Sequence, residues 1–187
     1  MALIGLKVPA ETGKLFSNIQ VPGAPESRDK YHITIFYLGK DVPMADVAKA
    51  MVVTAEVTSA TRPFTVRTSR VTCFPKNEDG VPVICAIESP ELHAFRERLK
   101  AAYEAAGVSF SNRYPDYKPH MTLAYAEEEE VTDRQIAPIE WGAHELFLWA
   151  SDDGDKGVAV TFPFSRLTIA HRVAARFTAS KLLGRDL

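Results

Sequence analysis

Two short runs, residues 31–38 and 119–125, limit what this chain can fold into more than any other stretch. Both are rich in β-branched, aromatic and other apolar residues, and Gly39 closes the first, so both predict strands. Each carries a His-x-Thr triplet, His32-Ile33-Thr34 and His120-Met121-Thr122. Strand side chains alternate between faces. The first run therefore predicts His32 and Thr34 on one face and Ile33, Ile35 and Tyr37 on the other, toward a core. The second predicts His120 and Thr122 opposite Met121, Leu123 and Tyr125. Each strand would present an imidazole beside a hydroxyl, backed by packed apolar side chains, which is a rigid mounting for reacting groups.

The remaining patterns place these strands in a larger order. Residues 3–8 predict a first strand, 11–20 a short helix, and the Pro- and Gly-containing stretch up to Lys30 a loop. Residues 44–60 have helical composition, ended by Arg62-Pro63. Strands are expected at 64–74 and 81–88, joined through the Asp79-Gly80 turn signal. Ser89 then caps a helix with Pro90 in its first position, and Leu92, Phe95, Leu99, Ala102 and Tyr103 share one face up to Gly107. A tyrosine-rich connector, 109–118, leads to the second triplet, and the acidic run 127–130 reads as a solvated loop. Residues 144–150 and 158–164 predict a last hairpin around 152–157. This order suits an α+β fold with mostly antiparallel strands, not a parallel doubly wound sheet. One triplet per half predicts two lobes sharing a cleft within a domain spanning 1–164. Beyond it, Ile169, Val173 and Phe177 fall at helical spacing among Arg166, Arg172, Arg176, Lys181 and Arg185, so 165–187 reads as a basic helical tail.

Two imidazoles facing each other across a phosphodiester make a complete acid–base set near neutral pH. One takes a proton and the other gives one, because histidine populates both forms there. Two threonines would hold the non-bridging oxygens as charge builds on them. The competing reading is that Thr is simply favoured in strands. Two such triplets among five histidines, with matching apolar partners, argue against it. His93, His144 and His171 lack the pattern and read as surface or structural. No second His, Cys or carboxylate stands at ligand spacing around either triplet, so no metal and no cofactor is expected.

Formal net charge is −2, from 22 Lys and Arg against 24 Asp and Glu. That balance argues against affinity by broad neutralisation of a nucleic-acid backbone and leaves room for a small phosphate ligand or an RNA end. No stretch approaches the ~18 apolar residues of a membrane span. The two cysteines, Cys73 and Cys85, sit in separate apolar segments and predict buried thiols in a reducing cytoplasm. A monomer is the default. For the bases of a nucleotide, the aromatic candidates are Phe36, Tyr114, Tyr117 and Trp149, with ordinary packing as the alternative for each. Arg113 and Lys118 are the candidate phosphate cations.

Together the triplets resemble the 2H phosphoesterase superfamily, the 2′-5′ RNA ligase-like and cyclic nucleotide phosphodiesterase proteins defined by two His-x-Ser/Thr motifs. His32-Ile33-Thr34-Ile35-Phe36-Tyr37-Leu38-Gly39 is similar to the first motif, and Pro119-His120-Met121-Thr122-Leu123-Ala124 to the second. The resemblance covers about residues 3–164. It implies a bilobal fold whose mostly antiparallel sheets line a cleft with helices outside, and a metal-independent phosphoric diester hydrolase. It makes His32 and His120 the acid–base pair and Thr34 and Thr122 the phosphate-binding residues. Several relatives place Arg three residues after the second Thr, where this chain has Tyr125. The leading expectation is hydrolysis of a cyclic nucleotide, a cyclic oligonucleotide or a 2′,3′-cyclic phosphate. RNA-end processing and a non-catalytic nucleotide-binding module are the alternatives.

Overall fold

A computed structural model describes residues 1–112, 115–128, 133–151 and 157–165, with backbone only at Gly157 and Val158. In chain order the strands are β1 (Ala2–Lys7), β2 (Ala24–Pro25), β3 (His32–Gly39), β4 (Phe64–Cys73), β5 (Val81–Glu88), β6 (His120–Ala126), β7 (Arg134–Ala143), β8 (Glu145–Ser151) and β9 (Gly157–Pro163). The helices are α1 (Ala10–Phe16), α2 (Met44–Ser59) and α3 (Pro90–Ala106). The strands form two antiparallel sheets, ordered β3-β1-β8-β9 and β2-β6-β5-β4-β7. The expected α+β class and antiparallel pairing hold, with one triplet strand in each sheet. The lobes are not the two halves of the sequence, however, because β8 and β9 return to complete the first sheet. No described helix is long and apolar enough to cross a membrane.

Local chemistry fixes the helix ends. Ser89 accepts a hydrogen bond from the Leu92 amide, Pro90 follows it, and Gly107 ends α3 in the left-handed region at φ 66°. The buried stripe of α3 is Leu92, Phe95, Leu99 and Tyr103. The Tyr103 hydroxyl meets Thr54 Oγ1 of α2 at 2.6 Å, so the two helices are joined through a satisfied polar pair inside the core. Helix α2 lies near β8 and β9, and α3 near β4. Phe95 packs against Phe64 at the start of β4 and Phe164 just after β9, with ring centroids 6.1 and 5.2 Å away. This aromatic cluster bridges the two lobes. Cys85 is buried and Cys73 half-buried as thiols, and burial pushes the Cys85 thiol up to about 12.

The lobes also exchange edges. Ala24 and Pro25, from the β1–β3 connection, pair with Tyr125 and Ala124, and the Glu26 amide donates to the Leu123 carbonyl. In return, Ser111 from the α3–β6 connector donates to the Tyr37 carbonyl at 2.8 Å. Each triplet strand thus has an outer edge covered by backbone from the opposite lobe, a way of blunting an open sheet edge. The closing turn 152–156, residues 129–132 with half of the acidic run, and everything after Ser165, including the expected basic helix, lie outside the described residues.

Candidate active site

Both triplet strands carry a bulge at the same step. Thr34 pairs with Gly5 and Phe36 with Ile4, so Ile35 is an extra residue without a partner on β1. Thr122 pairs with Ile84 and Ala124 with Val83, which leaves Leu123 extra on β6. An extra residue reverses the face assignment of everything after it. The two strands accordingly share one burial sequence, with positions two, four, five and seven buried.

Two sequence expectations need correction for this reason. Phe36, which strict alternation would put beside His32 and Thr34 as a stacking candidate, does not share their face. It is 2% exposed and packs against Tyr103 and Phe110, at 5.4 and 4.9 Å. Tyr37 and Tyr125 do not point into the core. Tyr37 falls in a row with Leu3 and Trp149, and Tyr125 in a row with Pro82, on the faces that carry Thr34 and Thr122.

The imidazoles are mounted identically. His32 Nδ1 lies 2.7 Å from the Lys30 carbonyl, and His120 Nδ1 lies 2.8 Å from the Lys118 carbonyl. A carbonyl only accepts, so Nδ1 carries the hydrogen in both rings and Nε2 is left to exchange protons. Each ring also meets an aromatic edge. Phe147 stands 5.9 Å from His32 at 84°, and Phe74 stands 4.6 Å from His120 at 81°. Phe147 reaches across Gly5, where an added Cβ would come within 2.9 Å of its ring. Neither phenylalanine was among the expected site residues. Their signal was present, since Phe147 alternates with Leu146 and Leu148, and Phe74 precedes the hairpin turn.

The two histidines interact. The pKa of His120 is lowered, first by burial and further by the nearby His32, against the Lys118 carbonyl, which raises it. Protonating both rings together is disfavoured. Exposed cations share these faces, among them Lys7 opposite His32 and Arg70 in the row of Ala86 and His120, with Arg70 bonded to Asp133.

The other expected site residues divide. Trp149 is half-buried on the same side as Phe147. Lys118 has an exposed side chain and meets the site through its carbonyl. Arg113 and Tyr114 lie outside the described residues. Tyr117 is half-buried and tied to the first triplet strand. Its hydroxyl donates to the Thr34 carbonyl at 3.1 Å, and the Arg96 guanidinium sits 4.4 Å from its ring and 4.8 Å from Phe36. Burial raises the Tyr117 phenol pKa, with Arg96 opposing, so it stays a donor. Arg96 is itself 8% exposed and bonds to Glu97. The unit ties α3, the first triplet and the connector to the second triplet together. Arg96→Ala removes a desolvated cation–π sandwich and is expected to cost about 2 kcal/mol, read from urea unfolding, with Arg96→Met recovering the packing part.

Against known proteins, the sequence model of the 2′-5′ RNA ligase superfamily matches residues 22–155. The anti-CBASS protein Acb1 of Vibrio phage KVP40 is 26% identical over 133 residues, which is 64% of this chain and 74% of that protein. Among solved structures, TT0787 of Thermus thermophilus superposes with a TM-score of 0.70 at 20% identity, covering 88% of this chain and 97% of the other. E. coli LigT complexed with 3′-AMP gives 0.64 at 20% identity, covering 87% and 93%. These two likenesses are of fold. The chain belongs to the 2′-5′ RNA ligase superfamily of 2H phosphoesterases, and its class of activity is that of a phosphoric diester hydrolase.

Proposed function

We propose that this chain hydrolyses a nucleotide phosphodiester between His32 and His120, with no metal in the proton transfers. The observation that carries the reading is the matched mounting of the two rings, each with Nδ1 tied to the carbonyl two residues before it. His120, whose pKa is lowered, is the neutral ring and takes the proton of the attacking oxygen at Nε2. His32, protonated, gives its Nε2 proton to the leaving oxygen. Thr34 and Thr122 donate to the non-bridging oxygens as charge builds there. One proton enters the protein and one leaves it, so the two rings exchange forms over each turnover.

A cyclic nucleotide, a cyclic oligonucleotide or a 2′,3′-cyclic phosphate fits this reading best. The net charge of −2 does not supply the basic surface that a long polyanion needs. The fold relative LigT, crystallised with 3′-AMP, supports a small nucleotide. The family description favours a second reading, cleavage or joining of 2′-5′ linkages at RNA ends. A panel of 2′,3′-cyclic mononucleotides, cyclic dinucleotides and 2′-5′ oligoadenylates, assayed with EDTA present, separates them. Turnover of the cyclic compounds is expected. Turnover of the 2′-5′ oligomers alone would favour RNA-end processing, and nucleotide binding without turnover of any compound would make the chain a binding module.

The electrostatics give a further test. In an NMR titration, the His120 ring is expected to reach its midpoint below 6.5, because burial and His32 both oppose its charged form. In His32→Ala the midpoint should move upward. No movement would show that the rings do not feel each other.

A further inference from the structure

The edge of β3 turned away from β1 is met by the connector that leads to the second triplet. The Ser111 amide donates to the Tyr37 carbonyl, and the Tyr117 hydroxyl donates to the Thr34 carbonyl at 3.1 Å. Tyr117 stands three residues before His120, and the carbonyl of the next residue, Lys118, accepts from His120 Nδ1. A continuous path therefore joins the triplets. It runs from the Thr34 carbonyl through the Tyr117 phenol and one residue of backbone to the Lys118 carbonyl and the His120 ring. Strands β3 and β6 lie close to each other across the lobes. The phenol ring is held from α3. The Arg96 guanidinium lies 4.4 Å from it and 4.8 Å from Phe36 of β3, and His93 meets it edge-on at 5.6 Å and 73°. Arg96 is buried, and its Nε has no hydrogen-bond partner among the described residues. An unpaired buried N–H is costly, so the guanidinium is kept for its place between two aromatic faces.

We propose that Tyr117 is a positioning residue, whose bond to the Thr34 carbonyl fixes the approach of the second triplet to the first and so sets the separation of His32 and His120. It acts through Lys118 and the His120 ring and does not touch the substrate. An acid and a base that serve one diester work only when both Nε2 atoms reach it, and a misplacement of about 1 Å can cost ~100-fold. The aromatic cluster at Phe95 holds the sheets together away from the triplets, whereas Tyr117 acts between the triplet strands themselves. Burial raises its phenol pKa, so the hydroxyl keeps its proton wherever the histidines titrate. The proposal rests on the phosphodiesterase reading above and adds to it the group that keeps acid and base in register.

Tyr117→Phe removes one hydroxyl and keeps the ring with its Arg96 and His93 neighbours, so the fold should persist. On the cyclic nucleotide that the native enzyme turns over, kcat is expected to fall about 10-fold, with KM little changed. A second readout needs no substrate. NMR titration of His120 with and without His32→Ala gives the upward shift in midpoint that removing His32 causes. That shift should be smaller in the Tyr117→Phe background, because the rings no longer stand at the native distance. It is measured on folded molecules, so a lower folded fraction does not mimic it. Tyr103→Phe is the control, since its hydroxyl is bonded to Thr54 of α2 and not to a triplet strand. It should keep both kcat and the full shift. An unchanged kcat or a full shift in Tyr117→Phe, a loss that falls on KM, or an equal loss of shift in Tyr103→Phe would each overturn the proposal. Absence of the shift in the otherwise native protein would do the same. Native enzyme inactive on the whole diester panel would instead overturn the functional reading, and the shift comparison would still decide the positioning.

Discussion

Replacing His32 or His120 by alanine is expected to lower kcat/KM by about 10²–10⁴-fold each, the usual worth of a positioned acid or base. The fold should survive. Both rings are half-buried on the triplet faces, and the core behind them is filled by Ile33, Ile35, Met121 and Leu123. Each substitution removes one bond to a backbone carbonyl and one aromatic edge contact. The double variant should fall well short of the product of the two losses, because groups that act as a unit are not additive. Steady-state rates with matched thermal midpoints check this. Full activity in both single variants would remove the histidines from the reaction.

Phe95→Ala is the largest expected loss of stability, about 3–5 kcal/mol for a fully buried phenylalanine. For a chain of this size that lowers Tm by about 6–20 °C. The position matters as much as the size. Phe95 touches Phe64 from the second sheet and Phe164 from the end of the first, and these contacts help hold together the two sheets that carry the histidines. Activity should therefore fall in the variant even at temperatures where it remains folded. Phe95→Leu, which keeps much of the volume, should recover most of both losses. Calorimetry and rate measurements on the same samples separate the two effects.

Much of this fold could be read from the chain because local signals agreed with tertiary needs. The Ser89-Pro90 start and Gly107 end of α3 and the alternation of the triplet strands are signals of that kind. The failures have physical causes. Strand β7 contains Pro138 and polar residues, which argue against a strand. It survives because it is an edge strand and Pro138 falls in an irregular stretch of its pairing with β4. The two residues of β2 are too few to carry a pattern. The bulges were invisible because nothing local marks Ile35 or Leu123 as extra; only the partner strands define the register. That single omission misplaced Phe36, Tyr37 and Tyr125. A longer echo was available. Lys30-x-His32-x-Thr34-x-x-Tyr37 and Lys118-x-His120-x-Thr122-x-x-Tyr125 repeat the same four residues at the same spacing. Both lysine carbonyls prove to orient the histidines, and both tyrosines reach the triplet faces.

The pH dependence of kcat/KM tests the central claim, one proton divided between two imidazoles, most directly. A neutral His120 and a protonated His32 predict a bell in the native enzyme, with EDTA present throughout. The acid limb should lie below 6.5, where the lowered His120 gains its proton. The residual activity of His120→Ala should lack the acid limb, and that of His32→Ala the alkaline one. A bell that keeps both limbs in either variant, or activity that EDTA abolishes and a divalent metal restores, would contradict the two-histidine account.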